Sequence, residues 1–228
     1  MDLRPASLIA LLALPAALWL GSGTGISLLA GAEDWVPDQV ISKAREQYGQ
    51  APAGVLSSWR EQLHRLAPLP EEQKLAGVND FINTNLPFVS DMKHWGRDDY
   101  WATPYESLGS RGGDCEDFVI AKYYSLIKLG VEPQKLRITY VKALRYNQAH
   151  MVLTYFPTPD AVPLVLDNLL KTIESASRRS DLAPVYSFNG DGMWLERMKG
   201  EGIRMGNPNK LDLWTDLRIR MHELGMDL

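Results

Sequence analysis

Between Pro37 and Asn85 the apolar residues return at helical spacing. Val40, Ala44 and Tyr48 share one face, Trp59, Leu63 and Leu66 another, and after "APLP" the run continues through Leu75, Val78 and Ile82. Residues three and four apart lie on one stripe of a helix, so this region is expected to be helical. The stretch "NLPFVSDMKHWGRDDYWATP" keeps no period and reads as an irregular segment ending at Pro104. Gly112-Gly113 then reads as a flexible turn. A helix is predicted from about Cys115 to Leu129. Asp114 is its N-cap, Asp117 stands three residues on as in a capping box, and Gly130 and Pro133 close it.

The period then drops to two. In "KLRITYVKAL" Leu136, Ile138 and Tyr140 alternate with Arg137 and Thr139. "HMVLTYF" is a second strand that starts at His150, and "VPLVLDN" a third that ends at Asp167, with a hairpin loop "PTPDAVP" between them. The tail "LDLWTDLRIRMHEL" is helical again, with Trp214, Leu217, Met221 and Leu224 on one face. Helices first, then a helix packed on an antiparallel sheet, define an α+β fold.

Composition narrows the function. The chain has 228 residues, 45% hydrophobic and 23% charged, which suits one globular domain. The net charge is -4 and no basic run exceeds Arg178-Arg179, which argues against a nucleic-acid binder. The beginning of the chain stands apart. Arg4, two residues after Asp2, precedes an apolar run from Leu8 to Leu20, and Ala30-Gly31-Ala32 is a small-x-small cleavage pattern. Residues 1–32 are therefore expected to be a secretory signal peptide or an uncleaved N-terminal membrane anchor, and 33–228 the folded domain. Either way the body is expected outside the cytoplasm.

Cys115 is the one cysteine, and Asp114, Glu116 and Asp117 crowd it. A thiol in the first turn of a helix sits in the field of unpaired backbone N–H groups, which favours thiolate and can receive an oxyanion. The plain alternative is a buried structural cysteine, but an apolar site would not choose three acids as company. A nucleophilic thiol needs a base, and the base an orienting group. His64, His94 and His222 fall on helices or in the irregular segment. His150 begins a strand whose antiparallel neighbour ends at Asp167, and that geometry sets the two residues side by side. Cys115, His150 and Asp167 are the candidate catalytic trio. Trp95 and Trp101 precede the site, and the Trp101 indole is a candidate oxyanion donor.

"GGDCEDFVIAKYYSLIKLG", "AHMVL" and "LVLDN" resemble the bacterial transglutaminase-like cysteine proteases over roughly residues 79–170. The resemblance implies a papain/transglutaminase-like fold with a Cys–His–Asp triad at Cys115, His150 and Asp167. It also implies calcium, Ca²⁺, held by acids flanking the cysteine, here Asp114, Glu116 and Asp117. Relatives of this kind act in the periplasm, cleaving a large surface adhesin near its N-terminus at a pair of alanines and releasing cells from a biofilm. An inner-membrane receptor for cyclic di-GMP holds them inactive, so no direct nucleotide binding is implied.

Calcium would explain the acids. Two unit charges about 6 Å apart interact by about 3 kcal/mol at an effective dielectric of about 20, enough to raise a thiol pKa by about two units. A divalent cation among them reverses the local sign, and an all-oxygen set suits a hard ion. Two other readings stay open at this point. One is acyl transfer or peptidoglycan amide hydrolysis by the same thiol. The other is a calcium-dependent binding module without enzymatic activity.

Overall fold

The computed structural model describes residues 35–195, 203–206 (backbone) and 211–228. The expected signal or anchor over 1–32 lies outside the described residues. Among them, no helix is long and apolar enough to cross a membrane.

Three helices come first: α1 (Asp38–Tyr48), α2 (Gln50–Leu66) and α3 (Glu71–Asn85). Gly49, at φ 94°, separates α1 from α2 in a conformation that favours glycine. The segment read as irregular contains a single turn, α4 (Asp91–His94). It ends at Pro104, as expected, and Pro104 opens α5 (Pro104–Ser110), whose capping box joins Thr103 to Glu106. Proline suits that first helical position because its missing N–H would find no partner there.

The sixth helix, α6 (Cys115–Lys128), is the centre of the fold. Phe118, Val119, Ile120, Ala121, Tyr123, Tyr124 and Leu126 along it are all buried. It packs on the sheet and on α3, and Trp59 of α2 donates from Nε1 to Ser125 Oγ at 2.9 Å. Each buried side chain of leucine size contributes about 1.5–3 kcal/mol, so the helix body is firmly anchored. Gly130, at φ 82°, closes it as expected.

The sheet is larger than the three strands read from the sequence. It comprises β1 (Leu136–Ala143), β2 (Gln148–Tyr155), β3 (Leu164–Leu166), β4 (Glu174–Ser175), β5 (Leu182–Phe188), β6 (Met193–Leu195) and β7 (Ile203–Gly206). Their order is β4-β3-β2-β1-β5-β6-β7, with every neighbouring pair antiparallel. Strand β5 is internal although it holds Pro184. The register slips at Tyr140/Val141, opposite that proline, and the irregularity absorbs the missing donor. Alternation along β2 sends Leu153 to the α6 side and Val152 to a second, smaller cluster with Val141 and Val165. The last helix, α7 (Asp212–Glu223), buries Trp214, Leu217 and Met221. The α+β reading therefore holds.

Candidate active site

Cys115 is the first residue of α6, and Asp114, in extended backbone, is its N-cap. The Asp114 N–H donates to Asp117 Oδ2 at 3.1 Å, and the Ala102 N–H donates to Asp117 Oδ1 at 2.7 Å. Asp117 thus ties the helix start to the preceding segment and is fully buried. The two glycines before Asp114 are less a flexible turn than a close approach. A Cβ on Gly113 would stand 2.6 Å from Asp117 Oδ2, and one on Gly112 2.5 Å from the His94 ring. Gly113 also pairs with the segment before α4, the Val89 N–H donating to its carbonyl at 2.9 Å. That pairing brings Asp91 beside the helix start, where its N–H meets Asp114 Oδ2 at 3.4 Å.

The acids around the thiol form three overlapping sets of oxygens, with Cys115 Sγ included in one. They are Asp114 with Cys115 and Glu116, Asp91 with Asp114 and Asp117, and Asp91 with Asp99 and Glu116. Within each set the potential ligand atoms lie within 4.8 Å of one another. Asp114 thus shares one set with Glu116 and another with Asp117, and two residues the sequence did not flag, Asp91 and Asp99, join them. The side-chain oxygens Asp91 Oδ1 and Asp114 Oδ1 are buried without a hydrogen-bond partner.

Unneutralised, this cluster works against ionisation. Burial, then the charge of Glu116 and its hydrogen bond with the sulfur, then Asp114, push the Cys115 thiol up, opposing the helix-start field expected to lower it. Burial and the Asp114 carboxylate raise Glu116 to about 9. Burial also raises Asp91 to about 6, with Asp114 and Asp99 adding and the Tyr100 N–H opposing. Asp117 is raised well above the carboxylate range, first by burial and then by Glu116 and Asp114.

His150 and Asp167 meet as antiparallel geometry requires. The pairs Leu153↔Leu166 and Thr154↔Val165 set the start of β2 beside the residue that follows β3. His150 Nε2 stands 2.8 Å from Asp167 Oδ1, with both side chains almost wholly buried. Burial alone would raise Asp167, but hydrogen bonds from His150 and Arg179 outweigh it and hold the carboxyl down at about 2. An ionised Asp167 accepts from Nε2–H, which leaves Nδ1 as the basic nitrogen of the neutral ring. The Asp167 backbone carbonyl accepts from Asn83 Nδ2 at 2.8 Å and Lys122 Nζ at 3.1 Å. Lys122 lies on α6, so the helix carrying the thiol is bonded to the end of β3. Burial lowers Lys122 to about 7, against the pull of Asp167 and Asp80.

Cys115 and His150 line one cavity of about 590 Å³, together with Asp114, Glu116, Trp101 and Tyr140. Asp167 and Asp117 stand behind this wall. Trp101 lines the cavity and stacks on Phe188 at 5.8 Å, whereas Trp95 packs against His94 and Tyr100 and does not line it.

A cysteine at a helix start thus shares a cavity with a histidine of β2 that is bonded to a carboxylate just past β3. The family model for bacterial transglutaminase-like cysteine proteinases matches residues 60–182, and the chain belongs to that family. Among solved structures it is similar to Legionella pneumophila LapG, at 39% identity and a TM-score of 0.70 over 80% of this chain and 96% of that one. A calcium-bound form of Legionella pneumophila LapG matches at 40% identity and a TM-score of 0.68, covering 80% of this chain and 98% of that one. An EGTA-treated form matches at 39% identity with a TM-score of 0.70 and covers the same 80% and 96%. No curated protein matches the chain.

Proposed function

We propose that this chain is a calcium-dependent cysteine endopeptidase of the periplasm that cleaves the N-terminal region of a large surface adhesin. The observation that carries the reading is the His150–Asp167 bond beside a cavity that Cys115 shares. His150 takes the thiol proton at Nδ1, and Asp167 fixes the tautomer and steadies the imidazolium. The sulfur attacks the scissile carbonyl, and N–H groups at the start of α6 receive the oxyanion. His150 then protonates the departing amine, giving a thioester and a free N-terminus. Water, deprotonated by His150, hydrolyses the thioester and restores the thiol.

The acids fit a hard cation. The set is dominated by carboxylate oxygens, and two of them are buried and unpartnered. Asp114, Glu116 and Asp91 would hold it, with Asp99 at the exposed side and Asp117 supporting from below. A calcium ion there supplies positive charge that offsets the acids and lowers the thiol pKa. The calcium-bound form of Legionella LapG supports this choice of ion.

The adhesin substrate, the role in biofilm release and inhibition by an inner-membrane cyclic di-GMP receptor are supported by likeness to the family. Incubating the purified protein with an N-terminal adhesin fragment and calcium tests the activity. Two products whose masses sum to the substrate plus one water are expected, and cross-linking with loss of ammonia would mark acyl transfer instead. Undiminished cleavage by Cys115→Ala overturns the assignment.

A further inference from the structure

The bonding of Asp167 continues past His150. Its other oxygen, Oδ2, accepts from Arg179 Nη2 at 2.7 Å. Arg179 in turn reaches Asp181, from Nε to Oδ1 and from Nη2 to Oδ2, at 2.9 Å each. The Arg179 side chain is 3% exposed and that of Asp181 48%, so the chain of charges runs from the surface to the buried pair. Arg179 follows a short 3-10 turn, Ala176–Arg178, and does not line the cavity, so it touches neither the thiol nor a substrate there.

We propose that Arg179 is a positioning residue for the reaction, locking the Asp167 carboxylate so that Oδ1 faces His150, with Asp181 as its anchor. The proposal rests on the Cys115–His150–Asp167 reading. A carboxylate bonded on one oxygen can turn about its last torsion. Bonded on both, it presents a fixed acceptor. The planar guanidinium can bond Asp167 and Asp181 at once from one rigid group, whereas an ammonium offers only a point charge. Without Arg179, Oδ2 would be left buried and unpaired, and the carboxylate would rotate or take up a proton.

Steady-state cleavage of the adhesin fragment at saturating calcium tests this. Arg179→Met is expected to lower kcat on the order of 10- to 100-fold with little change in KM, the scale seen when a group that orients a working side chain is lost. Arg179→Lys is expected to recover part of the loss. In an Asp167→Asn background the same Arg179→Met change should have almost no further effect, because its route of action is gone. A purely structural Arg179 would lower activity by the same factor in both backgrounds, and that result, or full kcat in Arg179→Met, overturns the proposal. Should Arg179→Met not fold, Asp181→Asn carries the test from a half-exposed position, and an unchanged kcat there counts equally against it. Unchanged kcat in Asp167→Asn would instead sink the triad, so the two failures are distinguishable.

Discussion

The Cys115 thiol donates its hydrogen bond to Glu116, with Sγ 3.0 Å from Oε2 of the next residue along. Burial and the neighbouring Asp114 carboxylate raise Glu116 to about 9. The sulfur is thus held in its neutral form by the same acids that would gather a cation. The acids around the lone cysteine make sense as a device in which reactivity waits on neutralising charge.

Replacing Asp167 by Asn should leave the fold intact and lower kcat by two to four orders of magnitude, because the wrong tautomer is then favoured at His150. His150→Gln should lose at least as much. Far-UV circular dichroism together with fragment cleavage checks both. Near-normal turnover in either variant would remove the triad.

Asp91 belongs to two of the three acid sets and leaves one oxygen unpartnered. Asp91→Asn is therefore expected to raise the calcium needed for half-maximal cleavage by about 10-fold or more, with activity recovered at high calcium. An unchanged calcium requirement would place the ion elsewhere.

The acid cluster also sets a pH dependence of stability. Asp91 and Glu116 are raised on folding to about 6 and about 9, from unfolded values of about 3.9 and 4.3. A carboxyl raised on folding contributes stability that is complete below its unfolded pKa and is lost as pH rises through the folded one. Asp167, held down at about 2, acts in the opposite sense, its contribution being present above about pH 4 and lost towards pH 2. With EGTA present, Tm should fall as pH rises from about 5 to 9. With saturating calcium the fall should largely vanish. A flat Tm in EGTA would show that the cluster is not strained by its own charge.

Much of the site was legible because it rests on local rules. Asp114 and Asp117 announce a helix start at Cys115, and two alternating runs place His150 beside Asp167 through the geometry of a hairpin. The Thr103–Glu106 capping box was equally readable, with Pro104 at the first helical position, but it opens a helix of only seven residues, too short to show a period. Pro184 within β5 works against reading a strand there, and the irregularity that accommodates it is visible only once the partner strand is known. Asp91 and Arg179 left no such signal. Asp91 reaches Asp114 through backbone pairing near Gly113, and Arg179 reaches Asp167 after the chain folds back through β4. Both placements are products of tertiary packing.

The most direct test of the account is the rate at which iodoacetamide alkylates Cys115 in the native protein near neutral pH, with calcium and with EGTA. Rapid modification in calcium and slow modification in EGTA are predicted, with Cys115→Ala unlabelled. Equal rates in the two conditions, or a sulfur that stays unmodified in calcium, would contradict it.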